Sequence, residues 1–162
     1  MIIAAFAGAG KTYFCDHVEN SIDFVCMPYK YYLPKTDNDN LECEKLKADF
    51  SLEINPEYPS NYINKILENM DKYKYYVIPS DSRVLSGLKD RHIPYILCFP
   101  EDKAKEEYRE RYLQRGNTEQ FLGVFIDGWD NFMISLRHDA YGAQIIMSEE
   151  EYLLDVKEKL TR

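Results

Sequence analysis

The sequence predicts a three-layer α/β fold, a five-stranded parallel sheet flanked by helices on both faces, and three observations predict it. Five short apolar runs recur along the chain, continuous rather than alternating, as strands buried on both faces of a parallel sheet read. Helical patterns separate most of these runs, which is the rhythm of parallel strands joined by crossover helices. The 162 residues, 45% hydrophobic and 30% charged, suit one globular domain spanning residues 1–162 and leave no room for a second.

Taken in order, residues 2–6 (Ile-Ile-Ala-Ala-Phe) form the first strand, which stops at Ala7-Gly8-Ala9-Gly10, and Lys11 to Val18 opens a helix. Ile22 to Cys26 is the second strand. Residues 27–58 carry Tyr29, Tyr31 and Tyr32, three prolines, and seven acidic residues between Asp37 and Glu57, so a loop-rich insertion with one short helix around 41–48 is expected. A helix over 60–70 follows, with Ser60 as its cap and Ile63, Ile66, Leu67 and Met70 on one face. Tyr75 to Ile78 is the third strand, ending at Pro79-Ser80-Asp81, and Val84, Leu85 and Leu88 mark a helix over 82–91. Pro94 to Phe99 is the fourth strand. In the helix over 101–115, Ala104, Tyr108 and Tyr112 share a stripe, while Arg111 and Arg115, four apart on an adjoining stripe, can face a common ligand. Asn117 with Gln120 resembles a capping box for a long helix whose core face runs from Phe121 through Phe125 and Trp129 to Leu136. Ala143 to Met147 is the fifth strand, and Ser148 with Glu151 repeats the capping signature for a last helix.

Charge and cysteine usage exclude several classes. With 20 basic against 28 acidic residues the net charge is −8, so a nucleic acid polymer is not expected as a partner and any anionic ligand needs a local site. Cys15, Cys26, Cys43 and Cys98 form no CxxC pair, which argues for reduced, mostly buried thiols rather than zinc or disulfides. His17, His92 and His138 show no metal spacing. No stretch reaches the ~18 apolar residues of a membrane helix, and the apolar N-terminus lacks a basic leader, so no membrane partner and a cytoplasmic location are expected.

The chemistry lies in Ala5-Phe6-Ala7-Gly8-Ala9-Gly10-Lys11-Thr12. A phosphate-binding loop reads G-x-x-x-x-G-K-[ST], and this octapeptide matches its last three fixed positions, with Ala5 where the first glycine belongs. A loop wrapping a polyphosphate brings successive N–H groups against the oxygens, which needs small residues, and a helix start behind it adds a positive dipole end. Residues Ala7, Gly8, Ala9, Gly10, Lys11, Thr12 and Tyr13 are therefore the expected nucleotide contacts. Lys11 would bridge the terminal phosphates and Thr12 would ligate Mg²⁺. Asp81, directly after the third strand, is the expected acidic partner on the Mg²⁺ side, with a helix N-cap as its alternative role and Asp23 in reserve. Guanidinium groups brought over such a loop stabilise the migrating phosphoryl group, a role for Arg111 and Arg115. The alternative is a solvated helix, since five acidic residues are interleaved with five basic ones between Glu101 and Arg115. Arg83 and Arg91 are further candidates for the cleft, and Tyr29, Tyr31 and Tyr32 could stack on a nucleobase.

Together these pieces resemble the nucleoside monophosphate kinase branch of P-loop proteins. The segment Arg111-Tyr112-Leu113-Gln114-Arg115-Gly116 is similar to the lid of guanylate-kinase-like enzymes. Asn55-Pro56-Glu57-Tyr58-Pro59-Ser60-Asn61-Tyr62-Ile63, combined with Arg-Tyr-x-x-Arg-Gly-Asn, is similar to small kinase-like proteins of phages and Gram-positive bacteria. The resemblance implies a P-loop fold with an acceptor-side insertion at 27–58 and a lid at 109–117. It also implies transfer of the γ-phosphate of ATP, with Mg²⁺, to a small acceptor, a nucleoside monophosphate or a nucleoside, with Lys11, Arg111 and Arg115 as catalytic residues. The chain departs from that pattern at Ala5 and in having no arginine between Gly116 and Leu136. The rival expectation is a P-loop module that binds ATP or GTP and regulates a partner without a small acceptor.

Overall fold

Five strands pair in the order β2-β3-β1-β4-β5, every neighbour parallel, in a computed structural model that describes residues 1–32 and 52–161. They are β1 (Ile2–Ala5), β2 (Ser21–Asp23), β3 (Tyr75–Pro79), β4 (Tyr95–Pro100) and β5 (Ala143–Met147). The connection from β1 runs toward the β2 edge, while that from β3 passes β1 to reach β4. The carboxyl end of β1 is therefore a topological switch point, where open α/β sheets place their ligands. The expected short helix around 41–48 and Cys43 lie outside the described residues, and so does much of the 27–58 insertion.

Apolar continuity translates into burial only at the centre of the sheet. Every residue of β1 is buried and β3 and β4 are nearly so, whereas the edge strand β2 is half-buried and β5 exposes Ala143, Gln144 and Ile146. The expectation of strands covered on both faces fails at these edges because a terminal strand has one neighbour and less helix above it.

Side chains alternate between two cores. On one face Phe14 of α1 (Lys11–His17) and Val18 just after it pack with Ile3, Ala5, Val77 and, from the C-terminal segment, Leu153 and Val156. The other face is aromatic. There α3 (Ser60–Glu68), α4 (Ser82–Asp90) and α5 (Lys105–Gln114) cover Ile2, Ala4, Phe6, Ile78 and Leu97. The Phe6 ring stands 5.6–6.1 Å from those of Tyr108, Phe125, Trp129 and Phe132, mostly edge-on. A short α2 (Met27–Lys30) follows β2.

Several boundaries differ from the sequence reading for local reasons. The long helix expected after Asn117 is three pieces: α6 (Glu119–Leu122), a π turn (Gly123–Asp127) and α7 (Trp129–Arg137). Its cap is Thr118, whose hydroxyl accepts the Phe121 N–H at 3.2 Å, one residue later than the pattern suggested. A single 3₁₀ turn, Asp102–Ala104, precedes α5. After β5, Glu151 does accept the Ser148 N–H at 2.7 Å, yet only a 3₁₀ turn at Lys157–Thr161 follows instead of a helix. No helix among the described residues is long and apolar enough to cross a membrane, and Cys15, Cys26 and Cys98 are free thiols.

Candidate functional site

The loop leaving β1 is shaped by two glycines. Gly8 and Gly10 both have φ of +81°, a left-handed conformation that costs a side-chain-bearing residue about 1–2 kcal/mol. A Cβ on Gly8 would lie 2.8 Å from the Tyr112 ring, and one on Gly10 would lie 2.9 Å from the Tyr152 ring. The loop turns through an Ala9 N–H to Phe6 carbonyl bond of 3.2 Å, and Phe14 N–H closes on the Gly10 carbonyl at 2.9 Å to start α1. Ala5, the residue standing where a glycine was expected, is not in this turn. It is a strand residue in register with Pro79 on one side and Cys98 on the other.

Two elements clamp the loop from above. Tyr112 of α5 donates its hydroxyl to the Ala7 carbonyl at 2.8 Å, and Leu153 N–H donates to the Ala9 carbonyl at 2.8 Å. Arg111 is only 7% exposed and sits between the Tyr108 and Tyr152 rings, 4.5 and 3.8 Å from their centroids. Its guanidinium donates to the Gly8 carbonyl at 3.3 Å and the Glu151 carbonyl at 3.2 Å, and pairs with Glu107. The segment 109–117 expected to be a lid is thus the end of α5 and its exit, anchored through Arg111 and Tyr112 onto the glycine loop. Arg115 is exposed one turn on, close enough to Lys11 to depress its pKa.

Lys11 points its Nζ back along β1, 3.3 Å from the Phe6 carbonyl and 3.5 Å from that of Ala5. Burial holds its ammonium below the ordinary lysine value, with the Asp23 charge pulling the other way. Thr12 donates its hydroxyl to Asp23 Oδ2 at 2.6 Å, and the second oxygen, Asp23 Oδ1, is buried without a partner. Tyr13 turns away: it is 54% exposed and its ring lies 4.1 Å from that of His17.

Of the two roles expected for Asp81, the helix cap is observed at one oxygen, while the oxygen left for a metal is taken up in an ion pair. Oδ1 caps α4 by accepting the Arg83 N–H at 2.9 Å, and Oδ2 meets Lys30 Nζ at 2.6 Å. Burial pulls the Lys30 ammonium down, but the hydrogen bond and charge of Asp81 more than offset it, so its pKa lies above the usual lysine value. Arg91 bonds Asn64 on the surface at 2.8 Å, and neither Arg83 nor Arg91 lines the cavity described next. Of the three tyrosines, Tyr29 packs on Phe24 and Tyr62, Tyr32 is exposed, and Tyr31 is a cavity wall.

A cavity of about 680 Å³ opens at the carboxyl ends of β1 and β3. Ala7, Lys11 and Ser80 form its glycine-loop end, and Ser80 N–H donates to the Ala5 carbonyl at 3.2 Å, which holds the two strand ends together. Phe6, Phe125 and Phe132 supply an apolar wall, with Asn131 and Ser135 of α7 beside it. Sequence reasoning placed none of Lys30, Lys89, Asn131 or Asp139 at the site. Only tertiary folding joins them, since Lys30 and Asp81 are 51 positions apart. No group of three or more His, Cys, Asp or Glu that could hold a metal ion occurs among the described residues. No protein-family model, curated protein or solved structure matches the chain.

Proposed function

We propose that the protein is a P-loop phosphotransferase that moves the γ-phosphate of ATP to a small acceptor bound in the 680 Å³ cavity. The observation that carries this reading is the position of Lys11, a motif lysine lining an open, largely apolar cavity with only main-chain oxygens for hydrogen-bond partners among the described residues. Such a volume falls in the ~300–1,000 Å³ range of small-molecule sites. The N–H groups of the glycine loop and Lys11 hold the donor's phosphates. The acceptor oxygen bonds the γ-phosphorus as the bond from that phosphorus to the departing ADP oxygen breaks. Catalysis of this kind is positioning plus charge stabilisation.

A Mg²⁺ ion fits the donor set at Thr12 and Asp23 better than at Asp81. Hard oxygen ligands and an orphaned carboxylate oxygen are present at Asp23, whereas both Asp81 oxygens are engaged. Thr12 and Asp23 would hold the ion, which would supply charge neutralisation for the phosphates. Arg111, tied to the Gly8 carbonyl and Glu107, positions the loop, which leaves the exposed Arg115 as the guanidinium able to reach the transferred group.

The test is ADP release from Mg·ATP over a panel of nucleosides, nucleoside monophosphates and small metabolites, with the Lys11→Ala protein as blank. Acceptor-stimulated release, absent in the blank, is expected. The locked Arg111 favours one second reading, a nucleotide-binding module without an acceptor, and ATP binding with no stimulated release selects it.

A further inference from the structure

We infer that the cavity takes an uncharged, ring-bearing alcohol of the nucleoside class rather than a phosphorylated acceptor, an inference that rests on the phosphotransferase reading. Charge decides it. Three lysines and two aspartates line the cavity, with no arginine among its described lining residues. Two of those lysines are matched, one at each end of α4: Lys30 with Asp81 at 2.6 Å and Lys89 with Asp139 at 3.1 Å.

Both aspartates are fixed in place. Asp81 caps α4, and Asp139 accepts from the Tyr95 hydroxyl at 2.6 Å and from the Tyr141 and Gly142 N–H groups at 3.0 and 3.3 Å. Lys30 is held further by the Tyr31 and Tyr58 rings, 5.6 and 5.7 Å from its Nζ. Turning either lysine to a new anion breaks its ion pair, and for Lys30 leaves the part-buried Asp81 carboxylate with the Arg83 N–H alone. Lys11 alone is unmatched by a carboxylate contact, and the donor's phosphates need it. A second phosphate in the cavity would lose its hydration with no further unmatched cation to meet it among the described lining residues.

The remaining wall suits a neutral ring. Phe125 and Phe132 stack with centroids 5.4 Å apart and planes 12° from parallel, and stacking on such faces tolerates any base. Asn131 and Ser135 offer uncharged donors and acceptors beside them. A hydroxyl acceptor, unlike a phosphate, must shed a proton. As its oxygen bonds phosphorus and ADP leaves with the electron pair of the broken bond, that proton passes to solvent water.

Phosphoryl transfer from Mg·ATP to adenosine, guanosine, cytidine, thymidine and uridine is compared with transfer to the 5′-monophosphate of each. One nucleoside turned over at least tenfold faster than its own monophosphate is expected. A preferred monophosphate overturns the inference and leaves the phosphotransferase reading standing; transfer to no acceptor by protein that binds ATP overturns both. Calorimetry on Asp81→Asn sharpens the charge argument, because asparagine keeps the helix cap but leaves Lys30 unmatched. Monophosphate affinity relative to nucleoside is expected to rise at least tenfold, and an unchanged ratio overturns the argument.

Discussion

At the glycine-loop end of the cavity Lys11 donates, among the described residues, only to the carbonyls of Ala5 and Phe6, whereas at either end of α4 Lys30 and Lys89 each meet an aspartate within 3.1 Å. The titration of the two cations at the mouth follows this contrast. Burial depresses Lys11, while Asp81 lifts Lys30 in spite of burial. On the proposed reading, this unmatched lysine is where the donor's phosphates bind.

The strongest way to break this contrast is to delete the unmatched charge. Lys11→Ala is expected to weaken ATP binding by 100-fold or more, about 2.7 kcal/mol, in a calorimetric titration. ATP affinity within a few-fold of wild type would remove the functional meaning of the contrast, since Lys11 would then be an ordinary buried cation.

Next in size is the clamp above the loop. Arg111→Ala strands the Glu107 carboxylate and opens the space between the Tyr108 and Tyr152 rings, so a loss of about 2 kcal/mol is expected in urea denaturation. Arg111→Lys restores charge without the planar stack and recovers only part of it. A variant of wild-type stability with depressed turnover would instead put Arg111 against the transferring phosphoryl group.

How much of this was readable in the sequence follows from the range of each interaction. The strands rest on apolar runs and the glycine loop on adjacent residues, so both elements could be read locally, and Asp81 as a cap follows from its place before α4. Edge exposure of β5 was not readable, because its run Ala143 to Met147 is apolar but for Gln144 and only strand order makes it an edge. Arg111 looked like a ligand-facing arginine on α5. Its actual partners, the Gly8 and Glu151 carbonyls, are 103 and 40 positions away, beyond any helical periodicity. The matched lysines were hidden for the same reason.

A smaller effect tests whether the loop geometry and its cover are one unit. Gly10→Ala forces a side chain into the left-handed region at φ +81° and against Tyr152 at 2.9 Å, an expected loss of about 1–2 kcal/mol. Adding Tyr152→Ala should remove the steric part and leave the backbone part. Additive losses in the double variant would mean that Tyr152 does not press on the loop.

The smallest expected effect separates Lys11 from its matched counterparts by sign. With a folded-state pKa below the ordinary 10.5, a charged Lys11 costs the folded chain a desolvation that the unfolded chain escapes. As pH rises through the folded value toward 10.5 the folded state loses its proton first, and the cost disappears. Lys11→Met should therefore raise the melting temperature of the ligand-free protein at pH 7, and the gain should shrink toward zero as pH approaches 10.5. Lys30→Met should do the reverse at pH 7, since it strands Asp81. Saturating Mg·ATP should invert the Lys11 result by stabilising wild type alone. A Lys11→Met protein that is less stable than wild type without ligand would mean that the lysine's carbonyl contacts outweigh its desolvation, and that the two regions differ in partners but not in purpose.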